Sequence, residues 1–490
     1  MYNFWTPELW RDEYGTWWVV ANGGWREVAQ RAVQFHGQSP FYYFIVKLSS
    51  ELLGIGPLSL RLPSILFGIG VVALAYPLAI EIFHQRHAAL LTVAAFAVNE
   101  RLIWYSQDAR PYSLALFCTM LSFLFYLSLL KREKVAWRVG YILSTTGAYY
   151  AHYLFSFIVV IQIVHLFFIQ GRSWLQSKAW PLTFLGLVLL CLPGVPQLLS
   201  LFERRETINW VTPSDWRVPI KLVAQLLDVR VLSVIAVVTL ALRFCAKKQG
   251  GLFDRVRLNL VLLWFVLPIA FFGVIAPLLG VTLLHERYVL FVVPAALVLT
   301  AWLMALGTRN SWRQWIPLIV FLTISFAWNL IPPLHQSGTF SARYNEGWTR
   351  AVAFLESHVL EDDVILYRTG FVEADQLRLP SPEPRMVSTI QMPVTANLSS
   401  GHNYSLFGLP YRINEQTAPY LASVTRQAAK SRRVWIIGVV DSSEDSSLQK
   451  VAAALGRQAP FHLVTKASYG SVRVILAEQG SAIIPGLAVP

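Results

Sequence analysis

The chain has 490 residues, 55% of them hydrophobic and 13% aromatic, with only 14% charged. Soluble domains carry about 25% charge, and here several stretches of about 20 residues run almost without it, which excludes a soluble globular protein and marks a polytopic membrane protein. The net charge of +13 does not point to nucleic acid, because Lys and Arg gather in short loops between apolar segments, as the positive-inside rule expects of cytoplasmic loops.

In chain order, the first notable stretch is "LWRDEYGTWW", residues 9–18, where Asp12 and Glu13 stand side by side among tryptophans. No basic n-region and apolar run of a signal peptide is visible in the first thirty residues. Residues 19–56 are apolar without forming spans. "WREVAQRAVQF" is amphipathic, and in "SPFYYFIVKLSSELLG" Lys47, Ser50 and Glu51 fall at i, i+3 and i+4, a single polar stripe. Helices of this kind lie in the plane of the membrane interface. "RVPIKLVAQLL", at 217–227, shows the same pattern more weakly.

About ten spans are expected, at 59–83, 87–104, 111–130, 137–151, 153–170, 179–201, 230–246, 258–279, 287–306 and 313–333. The connections "FHQRHA", "KREKVAWR", "GRSWLQSK", "AKKQGGLFDRVR" and "TRNSWR" are basic and alternate with the others, so they share the cytoplasmic face. Both ends of the chain then fall outside. An external start with no signal peptide leads to the expectation of a further span upstream of the acidic pair. The three cysteines, Cys118, Cys191 and Cys245, lie in apolar segments without metal spacing and read as core residues.

From about residue 341 the composition changes. "EGWTRAVAFLESHV" reads as a helix, "DVILYR" and "RRVWIIGVV" as strands, "SLQKVAAAL" as a helix and "SVRVILAE" as a last strand. Residues 379–415, rich in Pro, Asn and Ser, read as loop. The expected fold is therefore a polytopic α-helical membrane protein with a small C-terminal α/β domain outside the cytoplasm. Its expected parts are a first loop at 1–58 carrying the acidic motif and interfacial helices, a transmembrane core at 59–340, and the α/β domain at 341–490. The tail holds no Gly-rich phosphate loop, metal cluster or nucleophile elbow, and no internal repeat is evident.

The polar residues of the external side form a constellation. They are Asp12, Glu13 and His36; Arg61; Glu100, Arg101, Tyr105, Gln107, Asp108 and Arg110; His152; Arg204 and Arg205; and His285, Arg287 and Tyr288. A carboxylate pair can accept a proton or hold a divalent metal. Clustered arginines suit a phosphate, whose oxygens the guanidinium fork engages two at a time. Tyr, Trp and His suit a sugar ring or the lipid boundary. Together they fit a lipid-phosphate-linked substrate. Each also has a plainer reading: Asp12 as a helix N-cap, Arg61 as a headgroup anchor, His152 as a turn residue, Glu100 and Arg101 as a solvated charge pair, Arg204 and Arg205 as lipid-phosphate contacts.

The order "WRDE", "SPFYYFIVKL…LLG…SLRLPSILFG", "IWYSQDARPYSL", "YYAHYLF" and "ERYVLFVVPAAL", over residues 9–306, resembles the glycosyltransferase-C superfamily. The resemblance is greatest to its bacterial protein-mannosyltransferase and aminoarabinose-transferase-like branch. It implies a membrane glycosyltransferase with its active site on the non-cytoplasmic face, a polyprenyl-phosphate sugar as donor and a protein, lipid or envelope-glycan hydroxyl as acceptor. By position, Asp12 matches the catalytic aspartate of the first loop and would be the general base, with Glu13 supporting it or a divalent ion. Asp108 matches the second-loop acidic position. Arg101, Arg110 and Arg287 are candidates for the departing phosphate; Arg61, Tyr105, Gln107, His285 and Tyr288 for substrate contacts. His152 matches the histidine of a "THY"-like element. Where many relatives carry "HPP", this chain has "QSP", so Gln38 replaces a histidine and His36 is the remaining metal candidate, beside Glu13. The competing readings are a lipid-linked glycan flippase or a non-catalytic subunit of envelope assembly. Transporters favour inverted repeats and polar breaks near the membrane midplane, whereas the charges here gather at one face.

Overall fold

A computed structural model describes residues 8–21, 23–34, 37–176, 179–203, 217–244, 255–278, 285–306, 315–327, 346–378, 382, 384–398, 404–440 and 446–480. The chain divides into two compact units. One comprises Met1–Phe4 and Gly23–His335; the other comprises Trp5–Asn22 and Gln336–Pro490. In this division the helix bearing the acidic pair groups with the C-terminal domain.

The first unit is helical: α2 (Trp25–Gln34), α3 (Phe41–Leu53), α4 (Pro57–Phe83), α5 (Arg86–Ala97), α6 (Glu100–Ser106), α7 (Tyr112–Lys131), α8 (Val135–Ala151) and α9 (Phe157–Gln170), followed by further helices to Ser325. Among the described residues, helix covers at least part of each of the ten expected spans. Among the described residues five are individually long and apolar enough to cross a bilayer, at Pro57–Phe83, Tyr112–Lys131, Tyr153–Gln170, Ala179–Ser200 and Val256–Leu278. The pair α5 and α6, bent by 58°, passes the same test together, and Leu290–Ala305 and Ile316–Ser325 are shorter apolar helices. The protein is thus a multi-pass membrane protein. The stripe expected on α3 is present in part: Lys47 pairs with Glu51 at 3.6 Å, while Ser50 turns inward and bonds the Val46 carbonyl.

Close approach of α4 to its neighbours fixes the loop between α6 and α7. A Cβ at Gly70 would lie 2.7 Å from the Phe117 ring of α7, and one at Gly68 only 2.4 Å from Ser106 Cβ of α6. Small residues at such positions let membrane helices pack where apolar burial supplies no drive. Deeper in the unit, Tyr126, Tyr141, Gln162, Ser122, Thr145 and His165 form a buried hydrogen-bonded network across α7, α8 and α9, so their polar atoms are satisfied away from water.

In the second unit a five-stranded sheet has the order β2-β1-β3-β5-β4, with β1 (Val364–Arg368), β2 (Ser405–Gly408), β3 (Arg433–Val439), β4 (Phe461–Tyr469) and β5 (Val472–Gln479). β1 runs parallel to β2 and β3, and β5 antiparallel to β3 and β4. The expected α/β domain is present, and its three expected strands are β1, β3 and β5. The loop expected at 379–415 is corrected: it holds a helix at Pro384–Ile390, a short one at Met392–Thr395, and β2. Val364, Leu366, Val434, Ile436 and Ile475 pack against Val424, Val451 and Leu455 of the helices Ala418–Ala428 and Ser447–Gly456.

Gly347, just before the helix Trp348–Glu356, has φ +90°, and a Cβ there would lie 2.0 Å from the Tyr469 carbonyl oxygen. Backbone strain and a clash with main chain add, so Gly347→Ala is expected to destabilise this domain by about 2–3 kcal/mol. Thermal unfolding followed by proteolysis of the tail checks this. An unchanged midpoint would contradict the packing.

Candidate active site

In the first unit three segments distant in sequence bring part of the polar constellation together. The first is the exit of α6. Asn99 caps that helix by accepting the Leu102 amide at 3.1 Å, and Gln107 closes it by donating to the Ile103 carbonyl at 2.9 Å. The chain then bends through 107–110 into α7. The bend is pinned from both sides: Ser113 donates to the Tyr105 carbonyl at 2.8 Å, and Ser64 of α4 donates to the Arg110 carbonyl at 3.1 Å. Tyr42 OH lies 2.9 Å from the Ser64 hydroxyl. These contacts give the "RLPS" motif a physical reason. Its serine anchors the loop, and Arg61, three residues earlier on α4, is fully buried. Asp108 and Arg110 are buried as well.

The second segment is the turn at His152, which ends α8. The third is the 3-10 turn Glu286–Tyr288, capped by His285, whose Nδ1 accepts the Arg287 amide at 3.4 Å. The rings meet in a row: Tyr105 to Tyr112 at 5.0 Å, Tyr112 to His152 at 5.6 Å, His152 to Tyr288 at 5.9 Å, Tyr288 to His285 at 5.7 Å. Arg287 lies over the Tyr288 ring at 5.4 Å, and Arg101 Nε is 3.1 Å from Glu286. The arrangement is a row of tilted aromatic rings with the Arg287, Arg110 and Arg101 guanidinium groups beside it. It can neutralise an anionic head and offer flat faces to a sugar.

His152 is held neutral. Burial, and then the charges of Arg110 and Arg287, push its imidazole down to about 3, and its Nδ1 is buried with no hydrogen-bond partner among the described residues. An unfolded histidine titrates near about 6.5. The folded form resists protonation below that value, so its contribution to stability is complete above about pH 6.5 and is lost as pH falls toward 3. Acidification from about pH 7 to 5 should therefore lower the melting temperature of the wild type more than that of His152→Phe. Equal losses would contradict this placement of His152.

The acidic pair lies in the second unit, in the first turn of α1 (Arg11–Ala21), where carboxylates complement the helix dipole. Glu13 is fully buried, and its Oε2 accepts the Trp10 amide at 3.3 Å, half of a capping box in which the third helical residue reaches back. Asp12 is partly exposed. The cap expected at Asp12 is therefore supplied by Glu13, and Asp12 is the carboxylate with access to solvent.

His36, Arg204 and Arg205 lie outside the described residues. Among the described residues no group of three or more His, Cys, Asp or Glu is gathered closely enough to hold a metal ion, and Glu13 is engaged in its cap. Sequence reasoning missed Ser64, Tyr42, Tyr112 and Glu286. Each stands in a motif quoted above, Ser64 in "RLPS", Tyr42 in "FYY", Tyr112 in "ARPY" and Glu286 at the head of "ERYV", but none was singled out within it.

Residues 37–198 match the family model described as dolichyl-phosphate-mannose-protein mannosyltransferase. Two crystal structures of ArnT from Cupriavidus metallidurans share the fold. The apo form has a TM-score of 0.58 at 13% identity, covering 96% of this chain and 93% of that one. The form bound to undecaprenyl phosphate has a TM-score of 0.57 at 14% identity, covering 98% and 94%. No curated protein matches by sequence. The resemblance to the glycosyltransferase-C superfamily, of protein-mannosyltransferase and ArnT-like type, is thus carried both by the membrane core and by the fold of nearly the whole chain.

Proposed function

We propose that this chain, with the fold of ArnT and a core matching the mannosyltransferase family model, is an inverting membrane glycosyltransferase. It moves a sugar from a polyprenyl-phosphate donor to an acceptor hydroxyl of a protein, lipid or envelope glycan. The reaction takes place on the non-cytoplasmic face of the plasma (inner) membrane, with the C-terminal domain on that side. The observation that carries the reading is the row of aromatic rings and arginines assembled from the α6–α7 bend, the His152 turn and the 285–288 turn. The ArnT structure holding undecaprenyl phosphate supports a ligand of that class.

Asp12 takes the proton of the acceptor hydroxyl as its oxygen attacks the anomeric carbon. The bond from that carbon to the phosphate oxygen breaks on the opposite face, so the configuration inverts. The lipid phosphate leaves with one more negative charge than it bore in the donor. It needs no strong acid, because Arg110 and Arg287, with Arg101, meet that charge. Neutral His152, with Tyr105 and Tyr288, lines the sugar without competing for the phosphate, and Asp108 orients an arginine or the acceptor. Transfer from a donor of defined anomeric configuration tests the scheme: the product should carry the opposite anomer, and retention would contradict a single displacement.

A further inference from the structure

The acidic motif stands at one end of the chain and the α/β domain at the other, yet the two are built together. We infer that the C-terminal domain is the scaffold that holds Asp12 in place, with Glu346 and Asn397 as its positioning residues; this rests on Asp12 being the base.

Directional contacts bracket Asp12. On the residue before it, Arg11 Nε lies 3.5 Å from Glu346 Oε1, and Arg11 Nη1 donates to the Gly370 carbonyl at 3.1 Å. Gly370 has φ +78°, and a Cβ there would come within 2.8 Å of the Arg11 guanidinium carbon, so only glycine leaves room for this contact. Two residues after Asp12, the Tyr14 hydroxyl accepts the Asn397 amide at 2.8 Å. One turn further on, Trp18 Nε1 donates to Ser388 at 2.9 Å. Before the helix, Glu8 accepts the Gly347 amide at 3.2 Å and pairs with Arg350 at 3.7 Å.

The anchors are themselves fixed. Glu346 is 7% exposed; its other carboxylate oxygen accepts Trp348 Nε1, and its carbonyl accepts the amides of Ser471 and Val472 at the β4–β5 hairpin. Asn397 also donates to the Pro393 carbonyl and bonds Thr349. Tyr14, Trp18, Val19 and Val20 are buried, whereas Asp12 stays partly exposed. Apolar burial alone would hold the helix but leave its rotation and slide loosely set. The polar contacts on both sides set the azimuth at which Asp12 emerges. A misplacement of about 1 Å costs a base on the order of 10²-fold in rate, so such anchoring matters for the reaction and not only for the fold.

The test uses the full chain in lipid, with Glu346→Gln and Asn397→Ala beside Asp12→Asn. Transfer kinetics and hydrogen exchange are measured on each. Both anchor variants should lose on the order of 10- to 100-fold in kcat with donor KM within about twofold. Faster exchange should be confined to α1, with β1 and β3 as protected as in the wild type. Wild-type kcat in both anchor variants, with Asp12→Asn inactive, would overturn the positioning role and leave the base assignment standing. Exchange rising equally across the sheet would reduce the contacts to a structural role and also overturn it. Full activity of Asp12→Asn would remove the base assignment, and the inference with it.

Discussion

Asp12→Asn should reduce sugar transfer by about 10³-fold, within the range that general-base catalysis contributes, with donor binding unchanged. Asn has the same shape and the position is partly exposed, so α1 and its cap remain. The neighbouring carboxylate makes an internal control. Glu13→Gln keeps an acceptor at the third helical position, and Gln serves a capping box as Glu does. Its activity should stay within a few-fold of wild type. Transfer assays on the two variants at saturating donor decide the matter. A severe Glu13→Gln beside a mild Asp12→Asn would exchange their roles.

The second large effect is expected at Arg287. A unit charge about 4 Å from a leaving oxygen is worth about 4 kcal/mol at an effective dielectric of about 20, close to a thousandfold in rate. Neighbouring Arg110 shares the task, so Arg287→Ala should lose on the order of 10²-fold in kcat. Arg287→Lys should recover only part of it, because an ammonium keeps the charge but not the planar fork over Tyr288. Arg101→Ala should cost less, since Glu286 already pairs with that guanidinium at 3.1 Å and takes part of its charge away from the phosphate. Steady-state kinetics of the three variants give the order. Equal losses at Arg101 and Arg287 would contradict it.

Much of this was legible in the sequence because membrane burial writes strong signals. Long apolar stretches and basic loops set out the helices, and "SQDARPY", "YAH" and "HERY" mark the turns that converge on His152 and Tyr288. What stayed hidden has physical causes. β4 is an edge strand with exposed Leu463 and Val464 and mixed polarity, so alternation is weak, and β2 is only four residues long. Glu286 reads as a loop charge until Arg101 is seen beside it, a partner 185 positions away in the chain. The union of α1 with the C-terminal domain rests on pairs such as Tyr14 with Asn397, which no periodicity encodes. Asp12 and Glu13 are adjacent and chemically alike. Only the helix start at Arg11 turns one inward to cap Trp10 and leaves the other toward solvent.

The most direct measurement follows a polyprenyl-phosphate sugar, labelled in both sugar and lipid, in vesicles containing the purified full chain and an acceptor extract. Glycosyl transfer predicts that the sugar label moves to the acceptor while the lipid label is recovered as polyprenyl phosphate, and that Asp12→Asn stops both. Movement of the intact doubly labelled lipid across the bilayer, with the glycosidic bond to phosphate unbroken, would contradict the account and favour a flippase.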